Sequence, residues 1–238
     1  YRGAQILRGF DDEARGHVAT AMQAAGVTLH CGTDVLRLER AAGGIRAVAT
    51  DGTEREFDLV LYATGRRPNS AGLGLEALGV ELGRKGDIRV DDYSQTGVPS
   101  IFAVGDVTDR LNLTPVAIRE GHAFADTVFL GRPTRADHDL VASAVFTQPE
   151  LGAVGLTEEA AREAGPVEVY VASFRPMKTL FAGRQDRMMM KLVVDAGTRR
   201  VLGCHIVGDG AGEMIQLAAV AVKMGATKED FDRTVAVH

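Results

Sequence analysis

The sequence predicts an α/β fold that gives way to an α+β layer from about residue 139, and three observations carry this. Ser100–Ala117, SIFAVGDVTDRLNLTPVA, reads as a short apolar strand, an acidic loop end and a helix start. Residues 27–64 alternate as β-structure with Gly-containing turns between the runs. After Asp139, short strands of antiparallel character are followed by two helices.

In the first of these stretches, Ile101 to Val104 form the apolar run, which ends in Gly105-Asp106. In open α/β sheets ligand groups bind beyond the carboxyl end of a strand. Gly105 allows a sharp turn and a close backbone approach. Asp106 offers a carboxylate that accepts hydrogen bonds from a sugar-like hydroxyl. Thr114-Pro115 opens a helix whose first N–H groups attract anions. It runs through Ile118, Ala123, Val128 and Phe129 and stops at Gly131-Arg132-Pro133. The same pattern also reads as an ordinary strand-to-helix turn with Asp as its turn residue.

In chain order, Arg2 and Arg8 precede an acidic helix start at Asp11-Asp12. That helix runs through Ala14, Val18, Met22 and Ala25 and stops at Gly26. Two arginines flanking a turn can clamp a phosphate by charge-assisted hydrogen bonds, or can be two solvated charges. VTLHC, VLRLERA, IRAVAT and TEREFDLVLYAT then form a meander, with turns at Gly43-Gly44 and Asp51-Gly52. It ends in ATGRRPN, residues 63–69, a tight crossover by its Gly and Pro. Residues 70–99 give one short helix, Leu75 to Leu78, and a strand near Ile88-Arg89-Val90. Beyond residue 139 come two short strands and a helix capped by Thr157, with Glu158 and Glu159 in its first turn. Strands follow in VEVYVASF, MMMKLVVD and RVLGCHIVG, then helices in GEMIQLAAVAVKMGA and KEDFDRTV. The apolar helix from Glu213 to Met224 suits a subunit interface or the core of a monomer.

The 238 residues suffice for one large domain or two modest ones, and 45% apolar with 25% charged residues is ordinary for a globular chain. A net charge of −5 argues against a general nucleic-acid surface. No apolar run is long enough to span a bilayer, and no signal-like start is visible. Cys31 and Cys204 have no metal-like or Cys-x-x-Cys spacing and read as buried thiols in a reducing cytoplasm. The GxGxxG fingerprint is absent, since Gly203, Gly208, Gly210 and Gly212 do not follow its spacing.

The run IFAVGDV followed by LTPVAI resembles the second flavin-contacting segment of the class I pyridine nucleotide–disulfide oxidoreductases, and is most similar to their glutathione-disulfide-reducing branch. SFRPMKTLFAGRQDRMMMKLVVD and VKMGATKEDFDRTVAVH carry the likeness over long spans. The resemblance implies parts of two Rossmann-like nucleotide-binding domains plus a C-terminal α+β dimerisation domain. Residues 1–68 would be part of the NADPH-binding domain, 69–138 part of the FAD-binding domain, and 139–238 a dimerisation domain pairing two subunits about a two-fold axis. It also implies that Gly105, Asp106 and Thr114 lie at FAD and that Asn112 and Val145 lie on the NADPH side of the flavin. Gly65 of ATGRRPN would lie against NADPH. The pattern R-x5-R-x-F-D, with Arg2 and Arg8, resembles the segment that selects NADPH by its 2′-phosphate. The final residue, His238, aligns with the family's acid/base histidine. An imidazolium there protonates a thiolate leaving group, for which histidine's near-neutral pKa is suited.

One position departs from the resemblance. Animal and enteric members have Gly-Arg where this chain has Gly121-His122, and that Arg helps hold a glutathione carboxylate. An imidazole cannot serve as a guanidinium fork, so His122 leaves the mode of substrate binding open. The family's redox cysteines, two cysteines separated by four residues, and its Gly-rich loops have no counterpart in the sequence. The chain is therefore expected to be a C-terminal fragment without turnover of its own, from a homodimeric cytoplasmic flavoprotein that reduces glutathione disulfide with NADPH. Relatives acting on trypanothione, dihydrolipoamide or mercuric ion are the alternatives. A non-catalytic dimerisation module and a bare nucleotide-binding chain are others.

Overall fold

Strands that find neighbours and helices whose apolar stripes find a sheet account for the architecture. The computed structural model describes residues 1–237, which divide between two compact units, residues 1–60 with 140–237, and Leu61–Asp139. The mixed α/β reading holds.

In the first unit, α1 (Asp12–Ala24) begins where Asp11 caps it, its carboxylate accepting the N–H groups of Glu13 and Ala14 at 3.2 Å. A three-stranded meander follows: β1 (Val35–Ala41), β2 (Gly44–Ala49) and β3 (Glu54–Phe57), antiparallel in the order β1-β2-β3. VTLHC and the LVLYAT end of the fourth run are not strands. Neither has a neighbouring strand to take its backbone groups, and Leu59, Leu61 and Tyr62 stand exposed.

The same unit holds a five-stranded antiparallel sheet in the order β4-β5-β8-β7-β6. Its strands are β4 (Ser143–Val145), β5 (Leu151–Gly155), β6 (Val167–Phe174), β7 (Met188–Asp195) and β8 (Val201–Val207). Between β5 and β6 lies α3 (Glu158–Ala164), capped by Thr157 as the sequence predicts. A short α4 (Met177–Phe181) leads into β7. The period of two along the strands sends alternate side chains to opposite faces. Leu151, Met189 and Val207 meet Ala14 and Val18 of α1 on one face. On the other, Val154, Cys204 and Ile206 meet Ile215, Ala219 and Val222 of α5 (Ala211–Lys223). Gly152 makes that second contact possible, because a Cβ there would lie 2.7 Å from that of Ile215. A final helix, α6 (Lys228–Arg233), begins at a Thr227–Asp230 capping box.

The second unit is built around Leu75, Val80, Ile88 and Ala103 and carries α2 (Thr114–Phe129). The helix expected near Leu75 is a single 3-10 turn, Glu76–Leu78. The apolar run 101–104 and the run near Ile88 each make only one isolated bridge, Gln95 with Phe102 and Leu82 with Ile88. Each has one short partner, too little to build a ladder. Among the described residues no helix is long and apolar enough to cross a membrane.

Candidate functional site

The site begins at a turn the sequence marks clearly. Gly105–Thr108 forms a 3-10 turn entered at Gly105 with φ +73°, in the left-handed region that favours glycine. A Cβ at Gly105 would stand 3.0 Å from that of Ala117, so the turn lies close against α2. The next residue, Asp106, presents a half-exposed carboxylate with the Arg66 guanidinium 3.7 Å away. Both line a cleft of about 180 Å³ with Arg67, Pro68, Asn69, Val107 and Asn112. The structure thus brings the GD turn and the ATGRRPN run to one cleft, although they lie far apart in sequence. Asn112 is oriented by Asp109, to which its amide donates at 3.1 Å. Lys85 holds the other Asp109 oxygen at 2.6 Å, and together these contacts keep that carboxyl below its ordinary value.

Thr114 is exposed at the start of α2. No side chain caps this helix and no acidic residue occupies its first turn, so its leading N–H groups remain available to an anion. Gly65 lies in the same unit with φ +118°, and nothing lies within 4 Å of where its Cβ would be. His122 is an exposed residue of α2.

Sequence reasoning missed the group behind the turn. Glu120 on α2 is 1% exposed, and its Oε2 accepts the Gly105 N–H at 2.6 Å. Its Oε1 meets Arg110 at 2.9 Å and His138 at 2.7 Å. The available signal is spacing. Glu120 falls four residues after Val116 and three before Ala123, on the one buried face of the helix, where an unpaired carboxylate is not expected.

The first unit holds the remaining candidates. Arg2 is exposed, 3.8 Å from the Asp34 carboxylate. Arg8 is exposed as well, just before the Asp11 cap. Val145 ends β4, paired with Leu151. Cys204 is buried, and burial pushes its thiol up to about 11, which suits an inert core residue. Cys31 is exposed rather than buried, because VTLHC forms no strand to carry it into a core. His238, the expected acid/base residue, lies outside the described residues. No cluster among the described residues could hold a metal ion.

This unit also contains a buried ionic cluster with no counterpart in the sequence reading. Lys191, on β7, contacts Asp11 at 3.0 Å, Glu13 at 3.1 Å and Glu158 at 2.7 Å. His205 stands on the same face, with Nε2–H donating to the Leu156 carbonyl at 3.0 Å and burial pushing the ring's pKa below its ordinary 6.5.

Comparison with known proteins decides the family. Residues 1–121 match the model for "Pyridine nucleotide-disulphide oxidoreductase", and residues 141–238 match that for "Pyridine nucleotide-disulphide oxidoreductase, dimerisation domain". The chain belongs to the pyridine nucleotide-disulphide oxidoreductases. Over its whole length it is 52% identical to a glutathione reductase of Burkholderia cepacia, covering 53% of that protein. It is 49% identical to the chloroplastic/mitochondrial glutathione reductase of Pisum sativum, covering 43% of it. A trypanothione reductase of Leishmania donovani is 41% identical, with 49% of it covered. The chain therefore spans about half the length of the curated relatives it matches.

Membership of this family implies a flavin and a nicotinamide nucleotide, and the residues of the cleft fit a nucleotide. The half-exposed Asp106 carboxylate in the cleft, the glycine that begins its turn and, in the same unit, the uncapped start of α2 offer what a ribose or ribityl hydroxyl and a phosphate need.

Proposed function

We propose that this chain supplies part of the FAD site, part of the NADPH site and the interface domain of a homodimeric glutathione reductase. The observation that carries this is its likeness, along its entire length, to proteins named glutathione reductase, at 52% and 49% identity, against 41% for a trypanothione reductase. Residues 1–68 and 69–138 belong on this reading to the NADPH and FAD domains, and 139–238 to the interface between subunits. The setting is a reducing cytoplasm, with which two free cysteines accord.

Asp106 accepts a hydrogen bond from a flavin-nucleotide hydroxyl, while Gly105 admits the ligand close to the backbone. The first N–H groups of α2 at Thr114 face a phosphate, where the helix dipole favours negative charge. Asn112 and Val145 lie on the nicotinamide side of the flavin, and Gly65 leaves room for NADPH. Arg2 and Arg8 hold the 2′-phosphate through charge-assisted hydrogen bonds. When bound, the flavin passes two electrons between the nicotinamide and a disulfide. His238 holds the proton that a departing glutathione sulfur needs, which lets the thiol leave neutral. His122 contributes to the disulfide-binding side without the fixed fork of an arginine.

The double variant R2A/R8A, made in the protein expressed from the whole reading frame that encodes this chain, tests the cofactor assignment. Losing two charge-assisted contacts to a phosphate raises KM for NADPH about tenfold or more and leaves KM for NADH nearly unchanged. Equal losses for both cofactors contradict the phosphate clamp.

A further inference from the structure

Gly105 is held at both of its backbone groups. Its N–H donates to Glu120 Oε2 at 2.6 Å, and its carbonyl accepts from Thr108 Oγ1 at 2.8 Å. Thr108 Oγ1 in turn accepts from Arg110 Nε at 3.2 Å, and the Arg110 guanidinium closes the ring on Glu120 Oε1 at 2.9 Å. His138 adds a second contact to the same oxygen from the chain beyond α2. Glu120 thus joins the start of the turn, its end and the segment at His138 through one carboxylate buried on α2.

This arrangement costs desolvation energy that an apolar side chain on the same helix face would avoid. A buried ion pair is weak evidence for stability and better evidence for a defined geometry. The defined geometry here is that of Gly105, whose neighbour Asp106 faces the cleft. A carboxylate bonded to a backbone N–H is among the stronger neutral-to-ion hydrogen bonds, so it fixes the turn tightly.

We propose that Glu120 is a positioning residue, which holds the Asp106 carboxylate in place through Gly105 and so sets how tightly the flavin nucleotide binds. The inference rests on the functional reading above, in which Asp106 meets that nucleotide.

Two conservative changes separate this role from simple charge balance. E120Q keeps a carbonyl oxygen that can accept the Gly105 N–H but loses the charge facing Arg110 and His138. E120D keeps the charge but is one methylene too short to reach Gly105. Wild type and both variants, prepared as holoenzymes from the whole reading frame, are stripped of flavin and titrated with FAD. Binding is followed by the flavin absorption band, with the melting temperature of each apoprotein measured alongside. E120Q is expected to bind FAD within about threefold of wild type and E120D to bind at least about tenfold more weakly, at closely similar apoprotein melting temperatures. The reverse order, with E120D restoring affinity and E120Q losing it, overturns the proposal in favour of charge balance. Equal affinity in all three also overturns it. A wild-type protein that takes up no FAD defeats the functional reading itself, an outcome distinct from the other two.

Discussion

Lys191 shows how a single buried side chain can join distant parts of the sequence. It is 1% exposed, and its contact with Asp11 spans 180 positions. Burial pushes its ammonium down, but hydrogen bonds to Glu158, Asp11 and Glu13 outweigh this and hold it above its ordinary value. Burial pushes the Asp11 carboxyl up, and the Glu158 N–H and Lys191 bring it below its ordinary 3.8. Hydrogen bonding to Lys191 likewise lowers Glu158 from 4.5. A carboxylate held low contributes stability above its unfolded pKa and loses it as pH falls through the folded value. A lysine held high contributes below its unfolded pKa and loses it as pH rises through the folded value. The cluster therefore stabilises in full from above pH 4.5 to about pH 10.5 and fails first on the acid side. K191M leaves the Asp11 charge buried and is expected to cost about 3–5 kcal/mol at pH 7 in urea unfolding. That loss shrinks towards pH 4, where the carboxylates take up protons. An equal loss at both pH values contradicts the account. Asp11 is legible in the sequence as a helix start, but its buried partner is not. Lys191 sits within MMMKLVVD at a position whose period-two pattern places it inward with Met189 and Val193, and only the fold shows what meets it there.

At the scale of elements, β6, β7 and β8 and the helices α1, α2 and α5 are legible, because each has an unbroken period and a cap or Gly stop. The failures share one physical cause. VTLHC, LVLYAT and the run before Gly105 have strand-like composition, yet a strand exists only with a neighbour, and sequence periodicity does not report neighbours. Helix α5 shows what periodicity does report. Ile215, Ala219 and Val222 form its buried face, while Leu217 and Met224 are 76% and 82% exposed and Val220 is half-exposed. An apolar outer stripe within the residues that match a dimerisation domain suits a subunit contact. L217K/M224K is expected to shift sedimentation towards monomer while leaving stability within about 0.5 kcal/mol. I215A, on the inner face, is expected to cost about 2–5 kcal/mol of stability. Unchanged association in L217K/M224K removes the outer stripe from the interface.

At the scale of the whole molecule, residues 1–60 share one compact unit with the region that matches the family's dimerisation domain, and the turn-and-helix cleft belongs to the other. Asp106 of the cleft was legible beside Gly105 and shortly before Thr114, where a turn residue, a carboxylate and a helix start follow one another in sequence. Its support was not, because Glu120 reads as one more polar residue in TPVAIREGHAFADTVF until the helix face is known. Which disulfide the whole protein reduces is the point on which its proposed function turns, and steady-state turnover reads it out. Protein from the whole reading frame would be assayed with NADPH against glutathione disulfide and, separately, trypanothione disulfide. NADPH oxidation is expected to be driven by glutathione disulfide, with kcat/KM at least about tenfold above that for trypanothione disulfide. Preference for trypanothione disulfide, or no NADPH oxidation with either substrate, would contradict it.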